Sequence, residues 1–450
     1  MLNHNCHGRV ILGIFLTAYA LFGQVYTVRS QGIAPEVVNK WKDAGAVSGW
    51  MKAAPDRRNL ADFSSNHEKD RPIPGFTITG TLLDLNCDVL PPPNVPFGLM
   101  IEGAASLHSL RKLAAFTQLE VLCLNDTKTG DDGLKLIVKL SRLRVLAVND
   151  SSLTNRGVRE LSTLKHLESL SLATSKITDE AMEFLTKFKS LKHLQLQNTQ
   201  VTNDALKTLK VLNALESLDC GETRITDDGV ESLSKMSSLR SLGLFGTPIT
   251  DDGIKGLVAL PKLSRLNIGY TKITNRSIAE IARLENLEAI DLSGTKISDG
   301  GLSALKSLSK LKHLRLNWTN VTDAGLKDVS SIKQLILLEI CGAKLEGVHL
   351  KELQHLTQLR ELNIGGNRIA GENVKELKEM ENLRILNLAG NPITKKGLEM
   401  VAELRQLEVV VLSDDEVVEA GVEVLRRKLP KTRLVISGGI NTIVIEPSEK

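Results

Sequence analysis

Hydrophobic positions recur along most of the chain with a period of 24 residues. Leucine occupies the first position of every period without a gap. These leucines are Leu119, Leu143, Leu167, Leu191, Leu215, Leu239, Leu263, Leu287, Leu311, Leu335, Leu359, Leu383 and Leu407. An uninterrupted repeat of this length indicates a solenoid, in which short units stack on one another instead of enclosing one large core.

Each period contains two hydrophobic spacings, which predict two elements. When the first leucine is numbered position 0, positions 0, 3 and 5 are apolar, as in Leu191, Leu194 and Leu196. The alternation of positions 3 and 5 is typical of a strand. Positions 15, 18 and 21 are also apolar, as in Val230 and Leu233, and this spacing places them on one face of a short helix. The pattern therefore predicts a strand–helix unit whose strands pair into a parallel sheet.

The segment between strand and helix has the form Thr-x-Ile-Thr-Asp-x-Gly, as at residues 223–229. Its Ile or Val is expected to fill the corner of the unit. The Thr-Asp pair predicts a helix N-cap, and the Asp suits the positive end of the helix. The small residue at position 14 is expected to let the helix and the neighbouring turn approach closely.

The ends of the chain depart from the repeat. Residues 1–30 contain an apolar run and an Ala18-Tyr19-Ala20 sequence, which predict a secretory signal. An uncleaved N-terminal anchor is the alternative. Residues 31–94 are predicted to form a capping and linking region, with a short helix at residues 37–51 that carries Trp41 and Trp50 and a strand at residues 76–79.

The solenoid itself is predicted to span residues 95–436. It begins with a degenerate repeat whose strand, at residues 97–101, is slipped by one residue, and it ends with a strand at residues 432–436. Residues 437–450 are predicted to form a C-terminal tail. The repeats that start at Leu335 and Leu359 lack the usual turn residues, so we expect their turns to differ in shape.

Composition and charge narrow the classes of function. The chain has 450 residues, of which 42% are hydrophobic, and its net charge is +4. This charge is too small to indicate a nucleic acid partner. The sequence contains no metalloprotease, nucleophile-elbow, phosphate-loop or dinucleotide motif, so we predict neither a cofactor, nor a metal, nor an enzymatic activity.

Cysteine spacing does not indicate a disulfide framework. Cys123 and Cys220 lie about four repeats apart, or roughly 20 Å at the spacing of stacked strands, and a disulfide requires Cα atoms within about 7 Å. A bridge between Cys87 and Cys123 stays open because Cys87 lies outside the regular repeat.

The unit Leu-x-x-Leu-x-Leu-x-x-Thr-x-Ile-Thr-Asp-x-Gly-Leu resembles a leucine-rich repeat, and it is similar to the bacterial form found in planctomycete-type repeat proteins. The resemblance implies an α/β fold: a curved horseshoe with a parallel β-sheet on its concave face and short helices on its convex face. It also implies a scaffold that binds proteins.

In such a horseshoe, positions 2, 4, 6 and 7 face the concave side. The middle repeats carry polar, charged and aromatic residues there, and Arg combined with aromatic residues is typical of binding hot spots. The candidate partner-binding residues are His193, Gln195, Phe245, Arg265, Asn267, Tyr270, Asp291, His313, Arg315 and Trp318. The structural alternative is that the aromatic residues at position 7 only cover the edge of the loop.

Three rows of charge follow the repeat. Position 9 is basic in many repeats, and a basic row could indicate a polyanion partner. Position 12 is acidic in many repeats, so we expect the two rows largely to neutralise each other. Position 1 alternates in sign along Glu120, Arg144, Glu168 and Lys192. Opposite charges on adjacent strands stabilise pairing by about 0.2–1 kcal/mol each, which predicts register control rather than a binding site.

The functional hypothesis is a non-enzymatic, exported scaffold that recognises a protein partner through its concave face. The alternative is a glycan-binding or cell-wall-binding repeat protein that uses the same aromatic and amide residues. Contact with a membrane is expected only if the N-terminal segment is not cleaved.

Overall fold

A computed structural model of the chain describes residues 33–44, 46–53, 61–64, 73–79, 90–103, 106–125, 127–150, 152–413, 419–438 and 441–447. The expected signal at residues 1–30, Cys87 and the acidic residues 414–416 lie outside the described ranges. The chain forms two compact units. The first comprises residues 26–267, and the second includes residues 268–450.

The first unit is built on a sheet that becomes parallel as it enters the repeats. Its described strands are β1 Val47–Ala53, β2 Ala61–Ser64, β3 Ile73–Thr79, β4 Phe97–Glu102, β5 Leu119–Asn125, β6 Val145–Asn149, β7 Ser169–Ser171, β8 His193–Gln195, β9 Ser217–Asp219, β10 Ser241–Gly243 and β11 Arg265–Asn267. Strand β1 is antiparallel to β2 and β3, and every later pair in this unit is parallel. Leu194 pairs with Leu218, and Leu218 pairs with Leu242. The 24-residue period therefore stacks equivalent leucines in register.

The second unit continues the same strand pattern. Its described strands are β12 Ala289–Asp291, β13 His313–Arg315, β14 Leu337–Glu339, β15 Glu361–Asn363, β16 Ile385–Asn387, β17 Val409–Ser413, β18 Arg433–Gly438 and β19 Asn441–Ile445. Strands β12 to β18 are parallel neighbours. The expected final strand is β18. The segment expected as a tail adds β19, which pairs antiparallel to β18.

A short helix follows most of the strands, as the hydrophobic spacing predicts. The described α-helices are α1 Pro35–Asp43, α2 Leu107–Leu113, α3 Gly130–Ile137, α4 Asn155–Glu160, α5 Met182–Leu185, α6 Asn203–Leu209, α7 Asp227–Leu233, α8 Asp251–Leu257, α9 Ile278–Ile281, α10 Asp299–Leu302, α11 Leu326–Val329, α12 Lys395–Val401 and α13 Glu419–Lys428. Segments of 3₁₀ helix extend or replace them at Leu161–Thr163, Asp179–Ala181, Asn275–Ser277, Ser303–Ser307, Asp323–Gly325, Leu350–His355 and Gly371–Leu377. The α/β leucine-rich-repeat architecture predicted from the sequence is thus confirmed.

The apolar positions of the repeat form the core. In the repeat that starts at Leu215, Leu218 of the strand, Ile225 of the corner and Val230 and Leu233 of the helix are all 0% exposed. Burying such a side chain contributes about 1.5–3 kcal/mol. A single unit is too thin to bury both of its faces, so this contribution depends on the neighbouring repeats.

The helix predicted at residues 37–51 is wrong in its second half. Helix α1 ends at Asp43, and the chain then enters β1, which carries Trp50. Antiparallel pairing with β3 supplies hydrogen bonds that a helix would otherwise provide. The residues Val47-Ser48-Gly49 also have weak helical preference, so the strand prevails.

An aromatic cluster joins this N-terminal region to the first repeats. Trp41 is buried, stacks on Phe76 with 4.3 Å between ring centroids, and meets Phe97 and Phe116 at 6.3 and 5.6 Å. Its Nε1 donates a hydrogen bond of 3.0 Å to the carbonyl of Pro91. The cluster supports our proposal that residues 31–94 include a cap. The predicted slip of the first strand is confirmed, because Leu99 in β4 pairs with Leu122 in β5.

The Thr-Asp pair of the turn performs two separate tasks. The Thr hydroxyl is the N-cap, since Thr202 Oγ1 accepts a hydrogen bond from the backbone N–H of Asp204. The acidic residue reaches into the next repeat instead: Asp179 accepts hydrogen bonds from Thr202 N at 2.8 Å and Thr202 Oγ1 at 2.7 Å. Position 12 therefore links consecutive turns, a role that we did not predict.

The small residue at position 14 is required by this link. A Cβ on Gly253 would overlap the carboxylate of Asp227, which itself accepts a hydrogen bond of 2.8 Å from Thr250 N. The predicted close approach is confirmed, and the group approached is the linking carboxylate of the preceding repeat.

The two irregular repeats replace these contacts with others. Their helices are 3₁₀ throughout, and Gly347 has a left-handed φ of 89°. Asn367, at the position of the usual Thr in the second of them, is buried and donates to the carbonyls of Ile340 at 2.7 Å and Ile364 at 2.9 Å. The predicted change of turn shape is confirmed.

Candidate functional site

Each three-residue strand sends its middle side chain into the core and its two outer side chains to the opposite side, which we call the strand face. In β13, Leu314 is fully buried, whereas His313 is exposed and Arg315 is half-buried. The strand face holds positions 2 and 4 of each repeat and corresponds to the surface that the repeat pattern predicts to be concave.

The strand face of the first repeats is apolar and closed to solvent. Val121, Cys123, Val145 and Ala147 are all buried, in one cluster with Met100 and with Met51 of β1. These residues hold positions 2 and 4, which the repeat pattern predicts to face the concave side. They are buried because Met51 crosses the face, where a Cβ on Gly98 would overlap its sulfur atom.

The candidate residues of the first unit differ widely in exposure. Gln195 is only 3% exposed, and His193 is half-buried. Arg265 and Asn267 occupy the two outer positions of β11, where Arg265 is exposed and Asn267 is half-buried. Phe245 lies beyond the end of β10, and its carbonyl accepts a hydrogen bond of 2.6 Å from the N–H of Glu222. Arg265 is thus the candidate in this unit that most fully reaches solvent.

Asp219 belongs to this face although we did not single it out. It ends β9, and its Oδ1 accepts a hydrogen bond of 2.9 Å from Gly221 N. A Cβ on Gly243 would overlap this carboxylate, so the missing side chain on β10 makes room for it. The same position-4 rule that selected Gln195 could have identified it.

The candidates of the second unit form a connected ionic cluster. Arg315 Nε lies 3.0 Å from Glu339 Oε1, and Asn317 Nδ2 donates to Glu339 Oε2 at 2.8 Å. Asn317 Oδ1 in turn accepts from Cys341 N at 2.7 Å. Asp291 accepts a hydrogen bond of 2.9 Å from Ser293 N, two residues further along the same repeat. Position 4 thus carries three charged residues on consecutive strands.

Burial and like charge shape the ionisation of this cluster. Burial raises the pKa of Asp291 above its usual value. Glu361 lies between Leu337 and Ile385 on the adjacent strands, and desolvation followed by repulsion from Glu339 raises its pKa. The cluster has more carboxylates than cations, because Asp291, Glu339 and Glu361 share the single guanidinium of Arg315.

Glu339 and Glu361 were missed in the sequence. They occupy positions 4 and 2 of the repeats that start at Leu335 and Leu359. The strands of these repeats are regular although their turns are not, so the same positional rule could have identified both residues.

The two exposed aromatic residues lie at the edge of the sheet and not on the strands. Tyr270 and Trp318, at position 7, adopt left-handed φ angles of 56° and 58° and are 42% and 38% exposed. The next repeats carry Gly294 and Gly342 at this position, and a Cβ on either would overlap the preceding aromatic ring. Each ring therefore lies against the glycine of the following turn.

The two charge rows of the turns do not pair directly among the described residues, and their mutual neutralisation stays a prediction. The position-12 carboxylates are engaged with the following turn, as Asp299 is with Thr322 at 2.8 and 2.6 Å. The position-9 side chains are exposed, and among the described residues none lies within ion-pair distance of a carboxylate. These side chains are Lys128, Lys176, Arg224, Lys272, Lys296, Lys344 and Arg368.

The alternating charges at position 1 pair across strands, as predicted. Arg144 lies 2.7 Å from Glu168, and Lys192 lies 2.8 Å from the same carboxylate. Burial would raise the pKa of Glu168, but hydrogen bonds from Lys192 and Arg144 outweigh it and lower that pKa. A cavity of about 320 Å³ over this row is lined by the row itself and its neighbours: Glu120, Arg142, Arg144, His166, Glu168 and Ser190.

Other chemistry is sparse in the part of the chain that the structure describes. No group of three or more His, Cys, Asp or Glu side chains is arranged to hold a metal ion there. Cys220 and Cys341 are free thiols, and burial raises the pKa of both, which makes them poor nucleophiles. None of the described helices combines the length and the apolar character needed to cross a membrane.

Comparisons with known proteins agree with the repeat architecture. The family model described as Leucine Rich repeat matches residues 235–258, 283–306, 307–330 and 379–402. No curated protein matches the chain in sequence.

Several solved structures are similar to the chain. An internalin (InlF) of Listeria monocytogenes is 22% identical, with 76% of this chain and 86% of that chain covered and a TM-score of 0.49. A leucine-rich-repeat protein of Leptospira interrogans is 20% identical, with 76% and 89% covered and a TM-score of 0.44. The ectodomain of the Arabidopsis thaliana membrane receptor kinase GASSHO1/SCHENGEN3, solved in complex with CASPARIAN STRIP INTEGRITY FACTOR 2, is 14% identical, with 77% and 53% covered and a TM-score of 0.34. The finer likeness to planctomycete repeats stays a prediction.

Proposed function

Because the chain is a leucine-rich-repeat protein, we propose that it is a non-enzymatic scaffold that binds another protein through its strand faces. The observation that carries the proposal is the ionic cluster of the second unit. Taking several charged groups out of water rarely stabilises a fold, since the desolvation penalty offsets their attraction. We therefore infer that the three carboxylates around Arg315 serve recognition of a partner rather than stability of the fold.

The charge of this surface indicates the chemistry of the partner. Asp291, Glu339 and Glu361 exceed the one cation among them, so a partner with exposed Lys or Arg side chains would complement the face. The exposed imidazole of His313 lies on β13, the strand that also carries Arg315. The outer positions of parallel strands form a broad row and not an enclosed cavity, which suits a macromolecule better than a small molecule.

We propose no catalytic activity for this cluster. The carboxylate of Glu339 is held by Arg315 and Asn317, and that of Asp291 by the backbone of Ser293. Groups held in this way position charge for recognition, whereas proton transfer needs an acid or base that is poised beside a reacting group.

We also propose that residues 1–30 direct export, with the protein either released or anchored by that segment. N-terminal sequencing of the protein recovered outside the cytoplasm tests this point. A mature N-terminus shortly after Ala20 indicates cleavage, whereas an intact Met1 in the membrane fraction indicates the anchor. Intact protein confined to the cytoplasm would contradict export.

Affinity capture with charge-reversed variants tests the binding proposal. Glu361→Lys removes the carboxylate excess at an exposed position, and Glu381→Lys places the same change at an exposed position outside the strand face. Arg265→Glu probes the first unit, with Lys210→Glu as its matched control. Thermal unfolding of each variant verifies that the fold is intact.

We expect Glu361→Lys to reduce recovery of a basic partner by about tenfold, or roughly 1.4 kcal/mol of binding free energy. Glu381→Lys should recover the same partner as the wild type. If Glu361→Lys and Arg265→Glu both capture the wild-type partners in unchanged amounts, the strand faces are not the binding surfaces.

Glycan binding is the second candidate function. The exposure of Tyr270 and Trp318 at the edge of the second unit favours it, since exposed aromatic rings stack on the apolar faces of sugars. Screening the protein against a panel of immobilised glycans tests this candidate, and absence of binding to every glycan would exclude it.

A further inference from the structure

The strand-to-helix turns of the second unit expose a regular edge. Each turn places its position-9 residue in solvent and leaves its position-7 residue exposed or half-buried. The residue between them is a buried Thr or Asn in four of the five turns and the half-buried Ala343 in the other. In five consecutive repeats these pairs are Tyr270 and Lys272, Gly294 and Lys296, Trp318 and Asn320, Gly342 and Lys344, and Gly366 and Arg368. We call these ten residues the turn edge.

The turn edge carries cations and aromatic rings and no carboxylate. Of the acidic residues near it along the chain, Glu346 is exposed two positions after Lys344, whereas Asp299 and Asp323 are engaged with the following turns. Asp299 binds Thr322, and Asp323 accepts from the backbone N–H groups of Glu346 at 2.6 Å and Gly347 at 2.9 Å. Within the described residues, the cations of the edge therefore form no ion pair with the position-12 carboxylates, which lie three residues away in sequence.

The spacing of the edge follows from the backbone. Parallel bridges join Thr274 to Lys296 and Thr322 to Lys344, which hold consecutive turns at the separation of strands, about 4.8 Å. Lys272 and Lys296 are consequently neighbours. Tyr270 and Trp318 are two turns apart, or roughly 10 Å at that strand spacing.

The two rings form fixed platforms. Each lies with one side against a glycine of the next turn, and 42% of Tyr270 and 38% of Trp318 stay exposed. Both residues hold left-handed backbone angles that disfavour side chains by about 1–2 kcal/mol. The same left-handed angle recurs at position 7 of other repeats, in Thr174, Asn198 and Glu222, so it is a property of the turn.

We propose that the turn edge of the second unit binds a linear acidic polysaccharide, with sugar rings on Tyr270 and Trp318 and uronate carboxylates on Lys272, Lys296, Lys344 and Arg368. This inference deepens the glycan candidate and is independent of the strand-face proposal. The two rings lie two turns apart, a separation that suits successive disaccharides with one acidic sugar each. Asn320 follows Trp318 by two residues. Its Oδ1 accepts a hydrogen bond of 3.2 Å from Lys344 Nζ, so its amide N–H groups are what it would offer a neutral sugar.

A single-stranded nucleic acid fits the edge less well. It carries a charge on every nucleotide, whereas the row of cations along the turn edge has a neutral residue, Asn320, at one turn. The carboxylates of Asp291, Glu339 and Glu361 on the adjoining strand face would also repel a densely charged phosphate chain. The net charge of the whole protein, +4, adds little long-range attraction.

Titration of the full chain with a hyaluronan octasaccharide, which alternates uronate and N-acetylated sugars, tests the proposal. The variants are Lys296→Glu combined with Lys344→Glu, and Trp318→Gly, which removes the ring at a backbone angle that glycine adopts freely. The matched control is Lys327→Glu combined with Lys333→Glu, at exposed positions of the same region outside the edge. Thermal unfolding verifies that each variant is folded.

We expect both edge variants to weaken binding at least about tenfold, the control to stay within about twofold, and added salt to weaken wild-type binding. A neutral N-acetylglucosamine oligomer of equal length should bind more weakly than hyaluronan. The proposal fails if hyaluronan does not bind, if the control variant loses as much affinity as the edge variants, or if a poly-dT oligonucleotide binds more tightly at the same salt concentration. None of these outcomes bears on capture of a protein by the strand face.

Discussion

At the scale of residues, position 7 is a case in which the repeat pattern predicts where a side chain lies better than it predicts what the side chain does. The sequence shows Tyr270 and Trp318 at the same position as several glycines, and our structural alternative was that they cover the loop edge. The structure supports that reading, since each ring lies on the glycine of the next turn, and it also leaves each ring partly exposed. Glycine is common at position 7 because the backbone there is left-handed. The turn sets that conformation, and the hydrophobic period contains no information about it.

Gly342→Ala is expected to destabilise the protein by more than Gly366→Ala. Both glycines have left-handed φ angles, 58° and 63°, so both substitutions incur the backbone penalty of about 1 kcal/mol. Only at Gly342 would the new Cβ overlap the ring of Trp318; at Gly366 it meets backbone atoms at 3.4 Å and beyond. We expect an additional loss of about 1–3 kcal/mol at Gly342, measured by urea unfolding. Equal losses for the two variants would show that the ring does not pack against this glycine.

Glu361→Gln is expected to stabilise the protein at neutral pH. The raised pKa of Glu361 means that folding disfavours its ionised form, so the wild type is penalised above the folded-state pKa. The penalty disappears as pH falls through that pKa towards the unfolded value of about 4.3. The gain from the variant should be below about 1 kcal/mol, because the side chain is partly solvated.

Urea unfolding of wild type and Glu361→Gln across the acidic to neutral range measures this gain, with Glu381→Gln as the control. The gain should shrink steadily towards acid pH for Glu361→Gln and should be absent for Glu381→Gln. A variant that is less stable than the wild type at neutral pH would show that Arg315, and not desolvation, dominates the environment of Glu361.

At the scale of elements, the strands and helices were predictable because each is specified by its own hydrophobic spacing. The turn between them was only partly predictable. A Thr before a helix predicts an N-cap, and Thr202 is one. The carboxylate of Asp179 bonds to the following repeat, and a pattern within one repeat contains no information about that contact. The helix expected over residues 37–51 failed for a similar reason, since β3 lies far along the chain from β1.

Asp227→Ala is expected to lower the free energy of unfolding by about 1–3 kcal/mol, because it leaves the N–H of Thr250 without its acceptor. Asp227→Asn should change it by less than about 0.5 kcal/mol. An amide reproduces the link, as Asn203 does when it accepts from Thr226 N at 2.9 Å and donates to Thr226 Oγ1 at 2.8 Å.

Chemical denaturation of these variants measures the link between turns, and the exposed Asp228→Ala serves as the control. If Asp227→Ala and Asp228→Ala have the same small effect, the inter-repeat hydrogen bonds contribute little to stability.

At the scale of the whole molecule, each of the two units buries its sheet by packing every repeat against the next. This packing requires apolar residues at fixed positions of the repeat, so the core could be predicted throughout. The strand-face residues are not, and their exposure depends on what adjoins them: Cys123 is buried beside Met51, whereas His313 is exposed. The candidate list therefore contained the right positions, but it could not distinguish a buried Gln195 from an exposed Arg265, nor extend to Glu339 and Glu361.

Hydroxyl-radical footprinting of the protein with its captured partner tests the central claim most directly. The account predicts that the partner protects His313 and Leu337, on adjacent strands of the second-unit strand face, and leaves His355 on the helical side as reactive as in the free protein. Protection of His355 with unchanged reactivity at His313 and Leu337 would contradict binding through the strand face.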